Sequence, residues 1–447
     1  MFLLPPDMRD WLPDDHLVWF IADVVEQLDL SAFEQAYRAD GRGRAAYHPA
    51  TMVAVLLYAY CTGLRSSRMI ERRCVEDIPF RVLAGGLCPD HVTIARFRAR
   101  HDKALAGLFV QSLRLCAEAG LVRLGVVALD GTKMGANASL DANHTLQALD
   151  KKIAAILTEA AAVDAAEDSA ADHQAPADAP MPAAARRGAI TAAADRLRAA
   201  EHQRLQDARK RLEADAATRA DRLADRTEAT NTARAAKGLP ARTLRPKPSE
   251  KPRPQATTNL TDPDSRVMAT RGGRIQGYNA QWATTAEQII IAAQVTQAAN
   301  DVEQLHPMLD LAHATLATAG IATSIKRLVA DAGYWRAANL DPPPHDVELF
   351  VAVPRHGRRG KPRKDGQPSG ATTAHLVEAM TAKLATPVGR HMMRLRQTSI
   401  EPLFGQTKHC RGIRTFARRG LGAAQAEWQL IAATSNLRKL HHTIHRP

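Results

Sequence analysis

Gly125-Val126-Val127-Ala128-Leu129, running straight into Asp130-Gly131-Thr132, decides the fold class of this chain. Apolar residues in sequence without alternation suit a strand buried on both faces, and the turn-forming residues behind them end it. An α/β region is therefore expected to begin after Gly120. Downstream, Arg274 to Trp282 and Gln288 to Val295, split by the polar Thr284-Thr285-Ala286-Glu287, read as an antiparallel hairpin. Val302, Leu305, Leu309, Ala312 and Leu316 share one helical face over residues 301 to 318 and are expected to pack on the sheet. Ile325 to Ala330 is a further strand running into Asp331-Ala332-Gly333, and Val347 to Val353 is the last.

Upstream, residues 1 to 120 read as helical. Met52 to Tyr60 is apolar on every side, and Leu105, Leu108, Phe109, Leu113 and Cys116 keep the 3.6 period of a buried face. Pro89-Asp90 starts a helix with Ile94 and Phe97 pointing inward and Arg96, Arg98, Arg100, His101 and Lys103 outside. With the Gly85-Gly86 turn before it, the arrangement resembles a helix-turn-helix; a solvated basic face accounts for the same residues. Between the first strand and the hairpin the composition changes. Residues 151 to 256 hold 33 alanines and no aromatic residue, too little bulk for a globular core. Leu146 to Ala162 and Ala189 to Ala236, with Leu197, Leu205, Leu212 and Leu223 on a charged background, read as an inserted coiled-coil-like helical hairpin. A Pro/Ala/Asp-rich break at 171 to 188 separates them, and a Pro/Lys/Arg linker follows from Leu239 to Pro254. Residues Arg355 to Gly370 read as a basic loop. The last element is helical from near Ser399 and, after a break at Gly420-Leu421-Gly422, continues through Trp428, Ile431, Ser435 and Arg438. The expected domains are 1–120, 121–139 with 257–447, and the insertion 140–256.

At 447 residues and 45% hydrophobic the chain is long and apolar enough for real cores, which excludes a disordered chain. Its apolar runs are too short to span a bilayer, and Met1 to Asp10 has no signal-peptide pattern, so a cytoplasmic, nucleoid-associated protein is expected. Cys61, Cys74, Cys88, Cys116 and Cys410 form no C-x-x-C pair, which argues against a zinc site or a disulfide frame. Sixty Lys plus Arg against 47 Asp plus Glu give a net charge of +13, favouring a polyanionic partner, nucleic acid first.

Asp130 and Asp331 each close an apolar strand, where a carboxylate must be paired, metal-bound or capping a turn. Glu401 sits in the first turn of a helix capped by Thr398 or Ser399, with Pro402 tolerated there. Converging carboxylates without a Cys or His cluster prefer hard cations such as magnesium or manganese; a turn cap explains either aspartate alone. The order strand-Asp, hairpin, helix, strand-Asp, strand, helix-Glu resembles the ribonuclease-H-like core of DDE transposases from bacterial insertion sequences. The resemblance rests on Leu129-Asp130-Gly131-Thr132, Gln276-Gly277-Tyr278-Asn279-Ala280-Gln281, Val295-Thr296-Gln297 with Asn300-Asp301, Val329-Ala330-Asp331-Ala332-Gly333-Tyr334, and Arg394-Leu395-Arg396 before Ile400-Glu401-Pro402-Leu403-Phe404-Gly405-Gln406-Thr407-Lys408. Tyr47-His48-Pro49, opening an apolar helix, is similar to the helical domain of one such group. The chain departs from the pattern in having Met393 where related families carry a tyrosine and Gln397 where some carry an arginine.

The resemblance implies a mixed sheet with flanking helices, and Asp130, Asp331 and Glu401 as ligands of two magnesium or manganese ions. It implies cleavage at the terminal inverted repeats of an element and joining to target DNA, by a homodimer or higher oligomer on DNA. A nuclease without strand transfer, and a DNA-binding protein without catalysis, are the alternative readings. Lys408, two turns beyond Glu401 if the helix continues, is expected at a DNA phosphate, with Arg394 and Arg396 before it and a positive strip of Arg411, Arg414, Arg418 and Arg419 on outward faces after it. Asp264 and Asp301 follow no apolar strand and are not expected to be ligands.

Overall fold

The computed structural model describes residues 8–37, 46–171, 181–236, 238–241, 251–322, 325–340, 344–354 and 374–445; the expected basic loop at 355–370 and the middle of the expected linker lie outside them. Its strands, in chain order, are β1 (Val126–Gly135), β2 (Asn143–Thr145), β3 (Thr257–Asn259), β4 (Arg266–Thr270), β5 (Gly273–Thr285), β6 (Ile290–Thr296), β7 (Arg327–Ala330) and β8 (Glu348–Val351). Among the described residues a mixed sheet runs in the order β4-β5-β1-β7-β8, with β6 also on β5, and β2 pairs with β3 apart from it. The β5–β6 hairpin is antiparallel, as its sequence predicts, and β5 is antiparallel to β1; β1, β7 and β8 are mutually parallel neighbours.

The unbroken apolar run of β1 follows from its central place. Val127 and Leu129 face Leu305, Met308, Leu309 and Ala312 of the helix Leu305–Thr318, together with Leu113 and Cys116 of the helix Asp102–Glu118. On the other face, Val126 and Val329 meet Phe350 and Met392, the last carried by the helix Pro387–Ser399. A strand covered on both sides has no position left for an alternating polar residue. The expected helix at 301–318 starts only at Leu305, so Val302 precedes it. On β6 the backbone finds amide partners in the helix Leu421–Ile444: Asn436 exchanges two 2.9 Å hydrogen bonds with Ile290, and Gln425 accepts from Val295 N (2.6 Å) and donates to Ala293 O (2.9 Å). Side-chain amides thus substitute for a further strand.

Chain contacts separate two compact units, residues 1–137 with 268–447, and residues 138–267. In the first, the N-terminal helices and the sheet share one body: Tyr60 donates to Glu427 (3.4 Å) and Cys116 Sγ to Asn436 O (3.7 Å). In the second, helices Leu146–Ala171 and Met181–Ala235 bury Leu149, Leu205, Ala208 and Leu212 against each other. The second helix starts at Met181, inside the expected break, because Ala183-Ala184-Ala185 is strongly helix-forming. Leu197 and Leu223, expected on the seam, are exposed. No described helix is long and apolar enough to cross a membrane.

Trp282, paired with Asp130 across β5 and β1, is fully buried and stacked between Trp428 (centroids 4.2 Å apart) and Phe404 (4.9 Å). It joins the sheet to two C-terminal helices at once. Trp282→Ala is expected to cost about 3–5 kcal/mol, seen as a lower denaturant midpoint in equilibrium unfolding, and Trp282→Phe less; an unchanged midpoint for the alanine variant would contradict this packing role.

Candidate active site

The parallel register of β1 and β7 pairs Leu129 with Ala330, so the next residues, Asp130 and Asp331, emerge side by side from neighbouring strands spaced about 4.8 Å apart. Strand parity puts both on the face opposite Leu129, the face covered by the helix Pro387–Ser399. Asp130 Oδ1 accepts from Gly131 N (2.8 Å). Asp331 Oδ1 accepts from Gly333 N (2.8 Å) and caps the single turn Ala332–Tyr334, so its cap role and its place beside Asp130 coexist.

The covering helix supplies a cation. Arg396 donates through Nη1 to Asp130 Oδ2 (2.9 Å) and through Nη2 to Glu401 Oε1 (2.7 Å). Glu401 opens the short helix Glu401–Gly405, held down by buried Leu403 and by Phe404 on Trp282. The expected caps are not made: Thr398 and Ser399 still belong to the preceding helix, where their hydroxyls bond back to the carbonyls of Arg394, Leu395 and Arg396. The structure therefore brings Asp130 and Asp331 together and sets Glu401, half-exposed, across one guanidinium from Asp130. Among the described residues no three His, Cys, Asp or Glu side chains are grouped closely enough to hold an ion in this arrangement. In kind the donors fit a hard divalent cation: they are all carboxylate oxygens, and two of them already converge on one positive group.

Burial, and then the Asp331 charge, push the Asp130 carboxyl up to about 7, against the pull of Arg396 and of Gly131 N–H. Asp331 is raised too, chiefly by burial. Lys133, on β1, is lowered by burial although Asp301, Asp331 and Asp130 oppose the shift.

Asp301, set aside on sequence grounds, lies at this site. It comes from the connection between β6 and the helix Leu305–Thr318 and accepts on Oδ1 from Asn279 Nδ2 (2.7 Å) and Gln281 Nε2 (2.6 Å), with Lys133 Nζ at 3.8 Å. The signal for it in the sequence is the Asn300-Asp301 pair within the family-like segments, not strand patterning. Asp264 lies in the other unit, paired with Arg211.

The expected basic strip is not one helix. After Gly405 the chain forms a wide turn of π-helix, Gln406–Cys410, and residues 411–420 are irregular. Lys408 Nζ, lowered by burial, donates to Thr132 Oγ1 (2.6 Å) and Lys133 O (2.7 Å), beside the acids rather than on an outward face. Arg411 is buried, contrary to expectation, and its two Nη groups donate to Thr434, Thr407 and Ser435. Arg418 pairs with Asp102 and is half-buried. Arg394, Arg414 and Arg419 are exposed. In the N-terminal helices Arg98 and His101 are also buried, not outward: Arg98 donates to Arg65 O (2.6 Å), and His101 packs among Phe33, Tyr37 and Phe97. Arg96 and Arg100 are exposed, and Lys103 is exposed beside them.

Two family models match the chain: a transposase domain (DUF772) over residues 6–100 and a transposase DDE domain over residues 364–441. The matched segments take in the N-terminal helices and the stretch with Arg396, Glu401 and Lys408, and leave Asp130 and Asp331 between them. No curated protein and no solved structure matches. Two transposase segments in one chain mark it as a transposase. They support, more narrowly, a DDE transposase of the insertion-sequence type.

The raised Asp130 carboxyl has a stability consequence with a definite sign. Its folded-state value, about 7, lies above the ordinary 3.8, so the fold binds the proton more tightly than the unfolded chain and loses that stabilisation as pH rises through 7. Asp130→Asn is therefore expected to melt higher than wild type, by a margin that grows from about pH 4 and levels off above about pH 7. A margin independent of pH in paired melting curves would show that Asp130 is not held in this way.

Proposed function

We propose that this transposase cuts DNA strands at the terminal inverted repeats of its element and joins them to target DNA, using Asp130, Asp331 and Glu401 with magnesium or manganese. The observation that carries the reading is the pairing of Asp130 with Asp331 at adjoining parallel strand ends, with Glu401 tied to Asp130 through Arg396. A central β1 flanked by an antiparallel hairpin and two parallel strands supports a ribonuclease-H-like core. The long helices of residues 146–235, with an apolar seam, support the coiled-coil-like hairpin.

Divalent metal ions are the general requirement of DDE transposases; bound here, they would supply positive charge to both the attacking and the leaving oxygen of a phosphodiester. Asp130 and Asp331 would hold them, and Glu401 would join from the helix. The chain's own part is to keep these carboxylates adjacent and to hold a proton at Asp130 that it can release near neutral pH. Arg396, bonded to two carboxylates, is placed to turn its planar donor fork onto a DNA phosphate when those carboxylates change partner. Lys408 secures the backbone of β1 just beyond Asp130, which keeps that strand end in place. Arg414 and Arg419, exposed, extend a phosphate-binding surface beside it.

With an end-containing duplex, Asp130→Asn, Asp331→Asn and Glu401→Gln are expected to abolish cleavage while binding persists with its salt dependence intact. Replacing Arg414 and Arg419 with alanine should weaken binding and flatten the salt slope by about one phosphate contact each. Wild-type cleavage by Asp130→Asn would overturn the acid assignment, absence of cleavage by the wild type would favour the DNA-binding reading, and cleavage without joined product in the wild type the nuclease reading.

A further inference from the structure

Behind the acid pair stands a polar cluster that the catalytic reading leaves unused. Gly131 and Lys133 on β1 pair with Gln281 and Asn279 on β5, and by strand parity these four residues share the face opposite Asp130. Asp301 closes that face. Its Oδ1 takes hydrogen bonds from both amides, and its charge is balanced by Lys133 (3.8 Å), whose buried Nζ has no hydrogen-bond partner among the described residues. The cluster is internally locked: Gln281 Nε2 also donates to Asn279 Oδ1 (3.0 Å), and Gln281 Oε1 accepts from the Tyr334 hydroxyl. Tyr334 is fully buried and ends the turn that Asp331 caps.

Asp301 is thereby wedged between the two strand ends. A Cβ at Gly131, next to Asp130, would fall 2.7 Å from Asp301 Oδ1, and one at Gly333, in the Asp331 turn, 3.3 Å from Asp301 Oδ2. At the first position Gln281 Nε2 would be closer still, so a side chain there would displace the Gln281 amide together with the Asp301 carboxylate that it binds. A third acid beside two buried ones costs stability by like-charge repulsion. Two amide donors and a lysine offset that cost, and groups that orient metal-binding carboxylates commonly have such partners.

We propose that Asp301 is a positioning residue of the active site: by holding Asn279, Gln281 and Lys133 in one wall, it fixes the separation of Asp130 and Asp331. The proposal rests on the reading of that pair as the catalytic one. Removing Asp301 frees Lys133 and Gln281, lets the Tyr334 turn relax, and so misplaces Asp331 relative to Asp130 without touching the DNA-binding surface.

The test uses the full chain as wild type, Asp301→Ala, Asp301→Asn and Asp130→Asn. Cleavage of an end-containing duplex is followed against magnesium concentration, and, without DNA, the melting shift produced by manganese is measured. Asp301→Ala is expected to cleave about 10- to 100-fold more slowly, to need more magnesium for half-maximal rate, and to show a smaller manganese shift, with duplex affinity unchanged. Asp301→Asn, whose amide oxygen still accepts from Asn279 and Gln281 but cannot balance Lys133, should fall between. Wild-type magnesium dependence and manganese shift in either Asp301 variant, even with a lower melting point, would overturn the proposal, since a merely structural role moves only the latter. Asp130→Asn separates the two failures. If it cleaves, the acid-pair reading falls and this proposal with it; if it is inactive beside a wild-type-like Asp301→Ala, this proposal falls alone.

Discussion

Everything at the site depends on one register: Leu129 beside Ala330 in a parallel pair at the middle of the sheet. That register delivers two carboxylates to adjoining strand ends on one face, where burial makes both costly to ionise and the Asp331 charge adds to the cost for Asp130. Slipping either strand by one residue would turn its acid to the other face, away from Arg396 and onto the side that already holds Asp301 with Lys133. The apolar cover on both sides of β1 is what prevents the slip, because Val127 and Leu129 belong to one core and Val126 to the other.

The second constraint comes from the C-terminal region. Arg396 reaches Asp130 only because Met392, one turn earlier on the same helix, is buried against Val329 and Phe350. Glu401 reaches Arg396 only because Phe404 stacks on Trp282, the cross-strand neighbour of Asp130. Packing and chemistry thus share residues: the aromatic stack that stabilises the sheet also aims the third acid. Asp130 and Asp331, raised by burial, lower stability at neutral pH, the trade expected if they serve the proposed active site.

Much of this was legible in sequence, and the reasons are physical. An apolar run ending at an aspartate announces a strand covered on both faces, which made Asp130 and Asp331 readable as carboxylates at strand ends; a turn cap explains either alone, and their joint role rests on the order of elements and the family resemblance. Glu401 was not; it stood out through its resemblance to a family, because a glutamate in a first helical turn is ordinary. Patterning failed wherever a long polar side chain finds a tertiary partner. Arg98, Arg411 and His101 look like surface residues in any helical or loop pattern, yet buried carbonyls, hydroxyls and aromatic rings receive them. The cap expected from Thr398 or Ser399 is not made because the preceding helix runs through them; Asp301, not expected as a ligand because it follows no apolar strand, is placed beside the strand ends by hydrogen bonds that no loop period marks.

Asp130, Asp331 and Glu401 are proposed to serve one cation-binding centre. The most direct measurement is iron-mediated cleavage of the protein itself: ferrous iron loaded in place of magnesium, with ascorbate and peroxide, cuts the backbone only within reach of where it is bound. Cuts are expected near residues 130, 331 and 401 together, suppressed by excess magnesium and lost in Asp130→Asn. Cuts confined to other parts of the chain, or cuts at these three places that persist in Asp130→Asn, would contradict it.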